Sequence, residues 1–346
     1  MANKAAFEAV DSLLRSLTAS PLPFGGKVVM AVGDFRQVAP VVKGGGLSAA
    51  IDASVRTSHL WPAFQIHHLT QPVRNARDPE FCEYADSIGE DAEGSRDITL
   101  QHLPKIYDQE EGLSWLYPSE VLLCPNLCIK RSFLAVLNAR VDEINDYMLD
   151  RLPGREKVYW SYDTVKEGNV PNLHGDVLAD YLGMLYEPGI PSHKLRLKVG
   201  AICTVARNLS INNGLVKNAR VIIEQLHQYS VMVKLLPFQT SALLPSNRCL
   251  TFPFSRINFD FNPQRSSWTL LRKQLPLRLA YATTFNSCQG LTLDRAIVDL
   301  TSPVFAHGQL YTALTRIRER GHGRALFASN NLLGQTANVV SKDLLL

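Results

Sequence analysis

Along the first twenty residues Phe7, Val10, Leu13, Leu14 and Leu17 recur at helical spacing, which predicts one amphipathic helix. Pro21 and Pro23 end it, and Gly25-Gly26 turn the chain. Lys27-Val-Val-Met-Ala-Val32 is then short and continuously apolar, the pattern of a strand buried on both faces of a parallel sheet. It runs into Gly33-Asp34, at the strand end where α/β proteins place functional loops. A second unit of the same texture is expected from Glu120-Val-Leu-Leu-Cys124, read as a buried strand, and from a helix over Cys128–Leu149. From about Pro153 to Pro276 the pattern changes. Short runs such as Ala201–Val205, Arg220–Ile223 and Val231–Leu235 alternate with Pro, Gly and Asn, which predicts a small β-rich insertion. After Pro276 the α/β texture returns, with strands over 277–282, 295–300 and 323–328, a helix from Ser287 and another over Gly308–Ile317.

Composition narrows this pattern only a little. With 346 residues, 46% hydrophobic and 20% charged, the chain reads as an ordinary globular protein of two or three domains. The net charge of +4 is too small to imply nucleic acid, but its distribution says more. Glu80–Glu111 carries ten acidic and two basic residues, whereas Gln264–Ala325 carries nine basic and three acidic ones. A basic C-terminal region suits a polyanion as well as it suits a solvated face. The cysteines at 82, 124, 128, 203, 249 and 288 are scattered, and Cys124-x-x-x-Cys128 lacks a second pair at zinc spacing. They read as small core fillers of a reduced, intracellular protein, with no metal site expected. No stretch of 18 apolar residues exists, and Glu8 and Asp11 argue against a transit peptide. Residues 1–20 read as the interior of a longer chain that happens to begin with Met.

Candidate chemistry sits at the ends of the expected strands. In Gly33-Asp-Phe-Arg-Gln37 the side-chain amide of Gln37 is able to accept from an attacking water and donate to a terminal phosphate, while Asp34 would equally serve as a helix cap. Arg74, in Leu69-Thr-Gln-Pro-Val-Arg74, and Arg316, after Tyr311-Thr-Ala-Leu-Thr315, offer guanidinium forks for phosphoryl oxygens. The loop Thr283–Gly290 places Thr284, Asn286 and Gln289 at the start of a predicted helix, where hydroxyl and free N–H groups seat a phosphate or simply cap the helix. His307 suits a cap, a core position or a DNA contact. Trp268, Phe252 and Phe254 lie near Arg272-Lys273, aromatic beside basic as single-strand stacking requires, though most aromatics are core. Two decoys fall away. Gly25-Gly-Lys27 is followed by Val28 rather than a magnesium-binding Ser or Thr, and Asp142-Glu143 lies within a predicted helix rather than at a strand end.

Together these strings resemble the Pif (petite integration frequency) family of superfamily-one DNA helicases, including the helicase part of Helitron-type transposon proteins. Phe24-Gly-Gly-Lys-Val-Val29 through Gln37 is similar to the family's third motif, and Val73-Arg74 to its fourth. Asn138-Ala-Arg-Val-Asp-Glu-Ile-Asn145, Leu195–Gly200 and Arg207-Asn-Leu209 resemble its second motor domain and insertion. Leu277–Gly290 resembles the fifth motif and Gly308–Arg316 the sixth.

The resemblance implies an α/β fold of the P-loop NTPase helicase type. A truncated first RecA-like domain would occupy 1–108, and a second RecA-like domain 109–152 and 277–346. A β-rich, barrel-like subdomain would be inserted over 153–276. It implies Gln37, Arg74 and Arg316 as catalytic, with Asp34, Gln289 and Gly290 also at the nucleotide, and Thr284, Asn286 and His307 at DNA. ATP and Mg²⁺ are the implied cofactors, and single-stranded DNA or DNA junctions the partners. The implied activity is 5′-to-3′ unwinding, with roles in DNA repair, recombination and telomere maintenance, in the nucleus or alternatively the mitochondrion.

Three departures stand out. Asn286-Ser287-Cys288 replaces a common His-Lys-Ser, and Lys217-Asn-Ala-Arg220 a more usual Asn-Gly-Thr-Arg. No phosphate loop and no strand-end Asp-Glu pair precedes Gly33. Residues 1–346 are therefore expected to hydrolyse no ATP alone, to expose apolar surface, and to aggregate or need a partner. That partner would be a polypeptide carrying the missing N-terminal motor segment. The alternative is a non-enzymatic DNA- or partner-binding remnant of a transposon-encoded helicase.

Overall fold

The computed structural model describes residues 2–42, 44–91, 93–167, 175–235, 250–263 and 266–346; Cys249, Gln264 and Arg265 lie outside them. The chain divides into two compact units, residues 1–112, 134–137 and 284–346, and residues 113–133 and 138–283. These cut across the boundaries expected at 108 and 152, because 284–346 groups with the N-terminal third.

In the first unit the helix Lys4–Thr18 starts at Asn3, whose side chain accepts from the Ala5 N–H, and stops where Ala19 turns left-handed. Only part of the expected stripe is covered, since Phe7 and Leu14 are half-buried on the same face as Asp11. The buried residue is Asp11, paired with Arg15 and accepting the Phe24 N–H, while Val10, Leu13 and Leu17 are exposed. Lys27–Val32 is a second correction. It forms no strand: among the described residues nothing pairs with it, and Val28, Met30 and Val32 are 99%, 88% and 81% exposed. An apolar run becomes a parallel strand only when neighbours supply both hydrogen-bonding edges and both covering faces.

In the first unit Arg295–Asp299, Gly323–Leu326 and Lys105–Ile106 lie side by side, and both pairs are parallel. The strands Arg131–Ala135 and Ala282–Thr284 are divided along the chain between the two units. Helix Pro79–Gly89 opens on Asp78, whose carboxylate accepts the Phe81 N–H, with proline in the first turn. Phe81, Ala85 and Ile88 of this helix share one core with Leu134, Phe285, Val298, Leu310 and Ile317. An antiparallel ribbon pairs Gly94–Thr99 with Gln335–Val340.

The second unit is where local pattern misled most. Glu120–Cys124, expected as a strand, falls mostly on a short helix, Ser119–Leu122, set off by Pro118 and followed by Pro125. The single helix expected over 128–149 is instead a strand, Arg131–Ala135, and a helix, Asn138–Arg151. Ser132–Leu134 are completely buried, and a run without a polar face satisfies a central strand better than an amphipathic helix. The β-rich texture after Pro153 is present. A five-stranded antiparallel sheet runs Leu250–Ser255, Ser230–Leu235, Arg220–Leu226, Ile202–Val205, Leu277–Leu279. A three-stranded one runs Ile257–Phe261, Thr269–Gln274, Tyr162–Glu167. Lys157–Trp160 pairs with Lys194–Leu197. Leu182, Phe261, Trp268 and Leu270 form a small core. Trp268, Phe254 and Arg272 are thus buried, and the stacking platform expected from them is corrected to packing.

Candidate functional site

All the residues singled out for nucleotide chemistry lie in the first unit. Helix Gln309–Leu314 is short and wholly buried, and it docks against the loop 34–38. Gly308 enters it at φ 70°, and a Cβ there would stand 2.3 Å from the Arg36 carbonyl oxygen. One turn on, the Thr312 hydroxyl accepts the Val38 N–H (3.0 Å) and Tyr311 donates to Asp34 Oδ2 (2.8 Å). The Tyr311 ring in turn lies so close to Gly89 that a Cβ would meet it at 2.6 Å. Gly308→Ala therefore combines left-handed strain with overpacking against backbone. The expected loss is about 3 kcal/mol in chemical denaturation. Gly33→Ala, which faces open space, stays within about 0.5 kcal/mol.

The loop's polar groups close on one another. Asp34 Oδ1 accepts from Arg36 N (3.0 Å) and Nε (3.2 Å), and Oδ2 accepts from Gln37 Nε2 (3.2 Å). Burial works to raise the Asp34 carboxyl, but the Arg36 charge and the bonds from Tyr311, Arg36 N and Gln37 outweigh it and leave it below its usual range. Burial, then the Asp34 charge, pushes the Tyr311 phenol far up, so it stays a donor. Arg36 also pairs with Asp86 (2.9 Å) and Glu90 (3.1 Å) and lies 5.0 Å over the Tyr311 ring. Gln37 donates to Asp34 and accepts from Gln289 Nε2 at 3.0 Å, so the third- and fifth-motif strings meet in space.

Arg74 and Arg316 meet as well. Arg74 Nε donates to Thr292 Oγ1 (3.1 Å) and Nη1 to the Thr315 carbonyl (2.8 Å). Arg316, 2% exposed, donates to the carbonyls of Thr312 (2.9 Å) and Leu291 (3.3 Å) and to Thr315 Oγ1 (2.8 Å). Neither has a carboxylate within 4 Å among the described residues, unlike Arg36 or Arg320, which grips Asp78 and Glu80. Burial lowers the pKa of both, and for Arg74 the neighbouring Arg316 charge adds to it. Two cations held together without a counter-ion leave positive charge that an anion would compensate.

The fifth-motif loop departs from expectation. Residues 285–290 form turns rather than a helix, since Gly290 goes left-handed (φ 85°) after one turn. Thr284 Oγ1 accepts the Ser287 N–H (3.1 Å), a local cap. Asn286 Oδ1 accepts from Gln309 Nε2 (3.1 Å). Cys288 is core, its thiol pushed up to about 12 by burial.

His307 is corrected from a DNA contact to a brace. It is buried, Nε2 bonds the Phe35 carbonyl (2.9 Å), and Nδ1 accepts the Ser341 N–H (2.9 Å). That pattern requires the neutral Nε2–H tautomer. Burial first holds its pKa below the usual value, against the opposing Phe35 bond and Asp34 charge. A depressed histidine pKa contributes stability that is present above the unfolded value, about 6.5, and lost as pH falls through the folded one. The denaturation midpoint should drop between pH 7.5 and 5.5, and drop less in His307→Asn.

Gly308, Tyr311, Thr312 and Arg36 carry this architecture although no role of their own was assigned to them from sequence. Their place in the strings 33–37 and 308–316 was the signal.

Residues 1–91 match the family described as "PIF1-like helicase", and residues 180–226 match "DNA helicase Pif1, 2B domain". The human "ATP-dependent DNA helicase PIF1" is 28% identical over 90% of this chain, which spans 42% of that protein. "Uncharacterized protein 030L" of Invertebrate iridescent virus 6 is 27% identical over 92% of this chain and 68% of its own length. Among solved structures, Pif1 helicase from Candida albicans superposes with a TM-score of 0.61 at 22% identity, covering 99% of this chain and 73% of that one. Bacteroides Pif1 in complex with ADP-AlF3 and ssDNA gives 0.62 at 21%, covering 94% and 68%. The fold is that of the RecA-like P-loop NTPases.

Proposed function

We propose that the chain belongs to the PIF1-like helicase family and that residues 1–346 form part of an ATP-driven motor that moves 5′ to 3′ on single-stranded DNA. Gln37, Arg74 and Arg316 address the terminal phosphate. The observation that carries this reading is the pair of guanidiniums without a carboxylate, one turn of chain from the Gln37–Gln289 bond.

Bound ATP supplies the free energy of phosphoryl transfer. The arginines would neutralise charge developing on the phosphoryl oxygens, and Gln37 would orient the attacking water through the amide that Asp34 and Gln289 now hold. Tyr311 and His307 keep that loop in register with Arg316. The donor set fits a phosphate rather than a metal, because Asp34 is spent on Arg36, Gln37 and Tyr311; Mg²⁺ is left to residues outside this cluster. Thr284, Asn286 and Gln289 would report DNA contact to the nucleotide. By kinship the proposed setting is DNA repair, recombination or telomere maintenance in the nucleus.

The exposed Val28, Met30 and Val32 favour completion by a segment bearing a phosphate loop and parallel strands, whichever polypeptide carries it. Residues 1–346 alone are expected to show no ATP turnover, and addition or fusion of such a segment to restore turnover that single-stranded DNA stimulates. Magnesium-dependent, DNA-stimulated turnover from residues 1–346 alone would sink this reading.

A further inference from the structure

The aromatic and basic residues that the sequence pairs around 268–273 are split by the fold, and a different set takes the surface. Trp160 and Tyr162 are 54% and 71% exposed and flank Ser161, which is buried and bonded to Asp163 and His193. Trp160 ends one strand and Tyr162 begins the next, so two exposed rings stand two residues apart with Ser161 between them. Each has a lysine across the ladder. Lys194 is opposite Trp160, with Nζ 5.8 Å from its ring centroid, and Lys273 is opposite Tyr162. Arg256 donates from Nε (3.2 Å) and Nη2 (3.1 Å) to the Trp160 carbonyl, and His193 stacks obliquely on the indole at 5.3 Å. Among the described residues no carboxylate lies within 4 Å of Lys194, Arg256 or Lys273. The alternation that buries Arg272 against Asp163 is what turns Lys273 outward.

We infer that Trp160 and Tyr162, with Lys194, Arg256 and Lys273, form a stacking platform for single-stranded nucleic acid on the second unit. Two exposed rings present π faces to successive bases, and three cations without counter-ions track the phosphates. An apolar protein partner would not account for the cations, and a purely acidic one would not account for the rings. The inference rests on the DNA-motor reading for its polyanion, although the surface lies wholly in the second unit.

Fluorescence anisotropy of a labelled oligothymidylate with residues 1–346 at low salt tests it. Trp160→Ala and Tyr162→Ala should each weaken binding about tenfold, and Trp160→Phe, which keeps a ring, should restore most of it. Lys194→Gln with Lys273→Gln should flatten the slope of log affinity against log salt by about 1.4. A base-free strand of equal length should bind more weakly and lose its dependence on Trp160. The platform is overturned if both alanine variants bind like the parent, if the base-free strand binds as tightly, or if the parent binds no oligonucleotide.

Arg316→Ala, in the other unit, should leave the Trp160 dependence intact. The two readings therefore fail separately. Trp160-dependent binding without ATP turnover in the completed motor would remove only the motor, and turnover without that dependence would remove only the platform.

Discussion

Arg316→Ala lowers ATP turnover of the completed motor by about a thousandfold, close to 4 kcal/mol of lost transition-state stabilisation. The side chain is already fixed by the Thr312 and Leu291 carbonyls and by Thr315 Oγ1, so no ordering cost is left for the chemical step. Lysine should not rescue it, because one ammonium lacks the planar fork that serves helix carbonyl and phosphate together. The loss belongs in kcat, with nucleotide affinity changed far less, since charge on the transferred group develops only on the way to the transition state. A folding defect would look different. It would lower the denaturation midpoint and reduce the active fraction, which single-turnover amplitudes report. Turnover within threefold of the parent would exclude Arg316 from the phosphate.

In the second unit the largest stability effect falls on Arg272. Its guanidinium and the Asp163 carboxylate are 1% and 3% exposed, joined by Nε–Oδ1 at 3.1 Å and Nη2–Oδ2 at 2.8 Å. Further donors reach the Leu182 and Pro191 carbonyls at 3.0 and 3.3 Å. Arg272→Met leaves a carboxylate buried without its partner and should cost about 3–5 kcal/mol. Most of that is the penalty of the stranded charge rather than the worth of the pair. Replacing Asp163 by Leu in the same chain should therefore recover a large share. Equilibrium denaturation of the single and double variants measures both. If the double variant is no more stable than Arg272→Met, the cost lies in the lost carbonyl bonds instead.

The candidate residues were legible because residue type is read directly from the sequence. Gln37, Arg74 and Arg316 stood out as an amide and two cations at the ends of expected elements, and the structure joins the strings that hold them. Nothing local marked Tyr311 as the link between Asp34 and Asp86, or Gly308 as the point where helix meets loop. Those roles depend on partners more than two hundred residues away. His307 shows the same limit, since a polar residue beside a phosphate motif reads as a ligand until both ring nitrogens are seen to be taken.

Residue order alone determined the α/β and β-rich textures, a helix in the first twenty residues, strands in the runs 201–205, 220–223 and 231–235, and the kind of chemistry available. Periodicity and side-chain type are local properties, and these features need nothing more. Tertiary structure alone decided whether Lys27–Val32 becomes a strand, which face of Lys4–Thr18 is covered, and which of Arg272 and Lys273 meets solvent. Each of those outcomes is settled by what stands on the other side of a backbone edge or a side chain, and a one-dimensional pattern does not contain its neighbours.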